Sequence, residues 1–227
     1  MNTARRDFLA YVLPFALFMM GLVAVSAAKT LGVTAFFGTT LDPMYWIYPL
    51  QTAVCAGTLI LFWRSYGFAG SGQGNLWLGI AAGLLIFGLW IAPQALFHLP
   101  RRTAGFDPGV LPNLAHWMLA ARFARLVLVV PLVEEIFWRG FLLRYLANEN
   151  FMSLPFGSYN RTSFLITAGA FALVHQWSDF FPALVTGLLL NLLAVRTRSL
   201  LVCVLAHATA NLALGFYICT TRQWGFW

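Results

Sequence analysis

Seven apolar runs, most of them near the length that crosses a bilayer, constrain this chain more than any other feature. They fall at 8–28, 45–63, 77–97, 127–147, 163–177, 180–195 and 199–219. A hydrocarbon core asks for roughly 20 apolar residues in a helix. No water is available there to satisfy a backbone, so such runs must be helical. Only 9% of the 227 residues are charged and 60% are hydrophobic, whereas soluble domains carry about a quarter charged residues. The chain therefore reads as an all-α, polytopic membrane bundle of about seven helices. The stretch 114–126, LAHWMLAARFARL, is apolar but holds two arginines. It either lengthens the fourth helix or adds an eighth span.

The loops are short and marked by Pro and Gly: FAGSGQG at 68–74, HLPRRTAGFDPGVLPN at 98–113 and SLPFGSYN at 153–160. None holds a second domain, and no internal repeat is visible, so 1–227 is one transmembrane domain. The start, ARRDFLAYVLPFALFMMGLVAVSAA, has the basic lead and small-residue end of a signal peptide. Its apolar core is longer than a signal sequence needs, and it reads as a retained first helix.

The net charge of +7 does not point to nucleic acid. The cations sit at helix ends and short loops, where they orient the chain and meet anionic lipid. With the N-terminus inside and seven spans, Arg5, Arg6, Arg64, Arg144, Arg161, Arg196 and Arg198 fall inside, and Lys29, Arg101, Arg102 and Arg222 outside. The bias favours a cytoplasmic N-terminus, as in a multi-pass protein of the bacterial inner membrane. Cys55, Cys203 and Cys219 lie in apolar runs without metal-site or disulfide spacing.

A few polar residues break the apolar pattern. Two of the three glutamates stand side by side, in LVEEIFWRG at 132–140. His175 lies in FALVHQ, and His207 and Asn211 in LAHATANL. An ionisable side chain inside a membrane costs at least ~2.5–3.5 kcal/mol, and marks function by default. Residues four apart share a helix face and neighbours diverge by about 100°. Glu135 therefore faces Arg139, Glu134 points elsewhere, and His207 and Asn211 share a face. Counted from the inner end of each run at ~1.5 Å per residue, Glu134, His175 and Asn211 reach a depth of roughly 18–20 Å, and His207 roughly 12 Å. They are placed to meet in one cavity. A buried carboxylate beside an imidazole can deprotonate water. A second imidazole and an amide can donate to a developing oxyanion. Those parts suit peptide hydrolysis without a covalent intermediate.

Three motifs now stand in order: EExxxR at Glu134, Glu135 and Arg139; FxxxH at Phe171 and His175; HxxxN at His207 and Asn211. In this the chain resembles the CPBP family of CAAX proteases and bacteriocin-processing enzymes, also called Abi. Its texture is also similar to the CAAX-protease-related subgroup linked to exosortase and PEP-CTERM sorting. The resemblance covers about 134–211. It implies an intramembrane glutamate endopeptidase cutting near the C-terminus of a membrane-associated substrate, prenylated or not. It further implies that Glu134 and His175 activate water, that His207 and Asn211 form the oxyanion hole, and that Glu135 and Arg139 support the site. Phe171 reads as packing beside it.

Other readings compete. Glu134, His175 and His207 make a plausible zinc set with metal-bound water, although the resemblance implies a reaction without a cofactor. Cys203, four residues before His207, allows a thiol–imidazole dyad. Without catalysis, the same residues would tie helices together in a scaffold or a maturation factor for protein sorting. His98 and His116 read as interfacial. Arg122 and Arg125 read as snorkelling or touching lipid, and Trp77, Trp117, Trp138 and the TTRQWGFW tail as interface anchors.

Overall fold

The computed structural model describes residues 3–33, 35–36, 39–69 and 76–227; residues 70–74 of the expected Gly-rich loop lie outside them. Among the described residues, seven helical bodies follow one another. They are α1 (Thr3–Thr30), α2 (Met44–Leu61), α3 (Leu76–Phe97), α4 (115–145), α5 (Arg161–Leu173), α6 (Phe180–Thr197) and α7 (Leu200–Thr221). A two-residue antiparallel ladder, Ala35–Phe36 on Thr39–Thr40, bridges α1 and α2. This is an all-helical, multi-pass membrane protein.

The expected runs sit on these bodies. Among the described residues, five helices are long and apolar enough to cross a membrane: Ala4–Thr30, Met44–Leu61, Leu76–Phe97, Trp177–Thr197 and Leu200–Thr221. The run 163–177 is not a full span. Helix α5 stops at Leu173 after 13 residues, about 20 Å at 1.5 Å per residue, which falls short of a hydrocarbon core. Hydropathy continued through Val174, but Ser178, Asp179 and Pro182 turn the chain into the next helix. Asp179 suits a turn, and Pro182 fits only a helix's first turn.

The stretch 114–126 lengthens the fourth helix. Helix α4 is one continuous rod in five pieces: Ala115–Phe123, a π-helical Ala124–Val129, Val130–Glu135, a π-helical Ile136–Leu142, and Leu143–Tyr145. The short α-helical piece carrying both glutamates is thus flanked by two π segments, a feature common at functional sites.

Glycines let the helices close. A Cβ on Gly83 of α3 would sit 2.4 Å from the Ala206 carbonyl of α7, and one on Gly187 of α6 would sit 3.0 Å from the Ala168 backbone of α5. Without a hydrophobic drive inside lipid, such close packing is what holds membrane helices together. Helix α1 belongs to the same core: Phe15 stacks on Phe137 of α4 at 4.0 Å. Asn160 and Ser199 cap α5 and α7, accepting from the Ser163 and Val202 amides. Arg198 turns α6 into α7 with a left-handed φ of 51°.

The bundle has two distinct ends. At one, Tyr66 donates to the Ala10 carbonyl at 2.9 Å and Arg144 lies over Tyr11. At the other, Tyr45 donates to the Asp107 carbonyl, Arg102 pairs with Asp179, and the Gly225 amide donates to the Arg102 carbonyl.

Candidate active site

The adjacent glutamates of α4 part company, as their ~100° divergence requires. Glu135 is fully buried and turned into the protein. Its Oε1 accepts from Arg139 Nη1 at 3.1 Å and from His207 Nδ1 at 2.8 Å. Arg139 is also fully buried. It donates from Nε to Asn191 Oδ1 at 3.1 Å and from Nη2 to the Gly187 carbonyl at 3.3 Å, and its guanidinium lies 4.9 Å from the Phe171 ring centre. Asn191 Nδ2 donates onward to the Phe164 carbonyl at 2.9 Å. One hydrogen-bonded cluster thereby ties α4 to α5, α6 and α7.

Glu134 turns the other way and lines a cavity of about 250 Å³. Among the described residues, its Oε2 has no hydrogen-bond partner. His175, His207 and Asn211 line the same cavity, so the four expected catalytic residues converge. Apolar groups from α1 and α3, among them Phe15, Phe18, Ile86 and Phe87, complete the wall.

His175 stands just past α5, its amide bonded to the Ala172 carbonyl at 3.2 Å. Counted within the run 163–177, it instead lies beyond the helix end. Its Nδ1 still meets the Phe171 carbonyl one turn back, at 2.7 Å. A carbonyl can only accept, so Nδ1 carries the proton and Nε2 keeps its lone pair. Trp90, whose Nε1 donates to Thr186 Oγ1 at 2.9 Å, packs its ring beside this imidazole.

Asn211 Nδ2 donates to the Leu126 carbonyl at 2.7 Å. The π pattern explains why that carbonyl is free. Val130 N–H bonds back to Arg125, five residues earlier. The same spacing from Leu126 reaches Pro131, which has no N–H to give. One amide hydrogen of Asn211 is thus committed, and among the described residues the other is not.

Among the described residues, no three His, Cys, Asp or Glu side chains group closely enough to hold a metal ion. Glu134, His175 and His207 share the cavity without forming a ligand shell. Cys203 Sγ turns to the Leu190 carbonyl at 3.9 Å and does not line the cavity, so the thiol dyad is not assembled.

Several expectations change. Arg122 and Arg125 do not snorkel: both are buried, at 4% and 5% exposed. Trp138 is buried against Phe15 and Phe171 rather than anchored at an interface. Phe226 and Trp227 of the tail line the cavity. Trp77 and Trp117 are exposed, as interface or lipid contacts require, and so are His98 and His116. Sequence reasoning missed Asn191, a lone amide in LLLNLL whose polarity was the available signal, and Arg125, which lines the cavity.

Residues 116–213 match the model of the type II CAAX prenyl endopeptidase Rce1-like family. The chain is similar to that family over this segment, which is less than half of its length. The segment holds most of α4, all of α5 and α6, most of α7 and all three motifs, and it bears out the CPBP resemblance. No curated protein and no solved structure matches the chain.

Proposed function

We propose that this protein is an intramembrane endopeptidase that hydrolyses a peptide bond with a carboxylate-activated water, without a metal. The observation that supports this most is the divergence of the two glutamates. Glu135 gives Oε1 to Arg139 and His207 and does not line the cavity, while Glu134 lines it and makes no ion pair among the described residues. A glutamate in a membrane helix that is not committed to an ion pair is suited to chemistry.

In this reading, water in the cavity gives a proton to Glu134 as its oxygen bonds the scissile carbonyl carbon. His175 Nε2 accepts a hydrogen bond from the same water and orients it. Glu134 then passes the proton to the leaving nitrogen as the C–N bond breaks. The uncommitted hydrogen of Asn211 Nδ2 donates to the oxyanion. His207 joins it as a donor from Nε2 when the ring is doubly protonated, with the Glu135 carboxylate at Nδ1 as its counter-ion. Phe171 holds both Arg139 and His175 in place.

The substrate is a membrane-associated protein cut near its C-terminus, and the test works without naming it in advance. Peptides released from host membranes are compared for wild-type and Glu134→Gln protein at equal expression. Peptides seen only with wild type, unaffected by a chelator, support the reading and display any prenyl group. Identical sets would favour a scaffold or a sorting maturation factor. Asn211→Ala should lower kcat about a hundredfold, the scale of one oxyanion donor, with KM nearly unchanged. A change in KM alone would remove Asn211 from that role.

The N-terminus is read as cytoplasmic, in a bacterial inner membrane. Arg5, Arg6, Arg64, Arg161, Arg196 and Arg198 are exposed at one end, while at the other Lys29 and Arg102 are neutralised by Asp42 and Asp179. Arg198→Cys should label only from the cytoplasm and Arg222→Cys only from the far side. Labelling of the reverse pair would invert the topology.

A further inference from the structure

Trp90 of α3 belongs to none of the three motifs, yet it stands where the parts of the bundle meet. It packs against both hydrophobic cores, one built mainly from α1, α2 and α4 and the other mainly from α6 and α7. Gly79, Gly83, Ile86 and Trp90 lie three or four residues apart and so share one face of α3. A Cβ on Gly79 would sit 3.0 Å from the Val202 carbonyl of α7, and Gly83 is pressed against Ala206, the neighbour of His207. The two glycines seat α3 on α7. The same face then carries Ile86 and Trp90 to the cavity wall.

The indole is itself pinned. Its Nε1 donates to Thr186 Oγ1 of α6 at 2.9 Å, and Thr186 is buried and lines the same cavity. His175 needs such a wall. It lies past the last residue of α5. Among the described residues its ring makes one hydrogen bond, from Nδ1 to the Phe171 carbonyl at 2.7 Å. A single bond holds one point of a ring and leaves its plane free to turn. The last torsion of a histidine is broad, so packing rather than rotamer preference sets that plane. The rings of Phe171 and Trp90, with centres 4.6 and 5.7 Å from the imidazole, supply the packing.

We infer that Trp90, anchored on Thr186, is a positioning residue for His175 and keeps its Nε2 turned to the water. This rests on the reading in which His175 orients that water. Trp90 takes no proton. It acts through the imidazole, and α3 thereby supplies a part of the site that no motif contains.

The test reads the ring directly, so it does not depend on turnover. Protein with isotope-labelled histidine is placed in phosphatidylcholine vesicles and its imidazole nitrogens are followed by magnetic resonance. The His175 signal is the one lost in His175→Gln. At a pH where the ring carries one proton, wild type should show the Nδ1-protonated form alone. Trp90→Leu and Thr186→Val should add the Nε2-protonated form, as the ring leaves the Phe171 carbonyl. Thr186→Ser keeps the hydroxyl and should not. Thr186→Val leaves the indole in place, so it decides the matter if Trp90→Leu fails to fold. Release of the wild-type-specific peptides from host membranes should fall about 10–100-fold in Thr186→Val, the cost of a small misplacement, and recover in Thr186→Ser. A lone Nδ1-protonated form in Thr186→Val overturns the inference. So does a Thr186→Ser protein that behaves like Thr186→Val, and so does an altered ring with peptide release unchanged. An altered ring where wild type itself releases no peptide keeps the positioning and removes the protease. Peptide release by wild type with the ring unaltered in the variants does the reverse.

Discussion

Glu134→Gln protein should accumulate, insert and melt like wild type, yet lose hydrolysis by a factor of about 10²–10⁴, the contribution of a positioned general base. The carboxamide keeps the shape of the side chain and discards its ability to take a proton. The fold gives no reason for instability. Among the described residues, the carboxylate makes no ion pair within 4.0 Å and its Oε2 has no partner. Released peptide reads the chemistry, and thermal melting in detergent reads the fold. Full activity in a stable variant would take the base away from Glu134. Loss of both together would return the residue to a packing role.

Arg139→Ala should do the opposite and fail as a fold first. The guanidinium is fully buried, and its removal leaves Glu135 charged with only His207 against it. It also leaves Asn191 Oδ1 without its donor and the Phe171 ring without the cation above it. Breaking a buried pair from one side costs roughly 3–5 kcal/mol, enough to lower the melting temperature sharply and reduce the yield of folded protein. Replacing both members, as in Glu135→Leu with Arg139→Met, should recover much of that stability, since the uncompensated charge is gone. Activity should not return with it, because His207 loses the carboxylate that orients Nδ1. A melting temperature unchanged by Arg139→Ala would contradict the structural role.

The difference between those two outcomes was partly legible in LVEEIFWRG. Helical spacing alone paired Glu135 with Arg139 and turned Glu134 aside, and the pair is present at 3.1 Å. The convergence of Glu134, His175, His207 and Asn211 was expected from similar depths, and all four line one cavity. The partners of His207 and Asn211 were not legible. His207 meets Glu135 across 72 residues, and Asn211 meets Leu126 across 85. The second contact exists because a π segment and Pro131 leave one carbonyl free, which an assumed 3.6-residue period hides.

The errors share a cause. Hydropathy sums over a window, so it ran the fifth span to Trp177 although α5 ends at Leu173. It also scored Arg122 and Arg125 as residues that must escape to water. Neighbouring helices instead supply Tyr48, Gln51 and Phe18 around them. Trp138 and the tail were assigned to the interface by residue type, but the bundle buries the first and turns Phe226 and Trp227 to the cavity.

By itself, then, the sequence determined that the chain is a membrane helix bundle, where its helices lie, and which polar residues are too costly to be idle. Those are consequences of local spacing and of the free-energy penalty of polarity in lipid, both read along the chain. Only the tertiary structure decided which nitrogen of each histidine is engaged, which glutamate lines the cavity, and that two arginines stay inside with no ion pair among the described residues. Those depend on atoms brought together from distant helices, and direction across a bundle is not written in the period of any one of them.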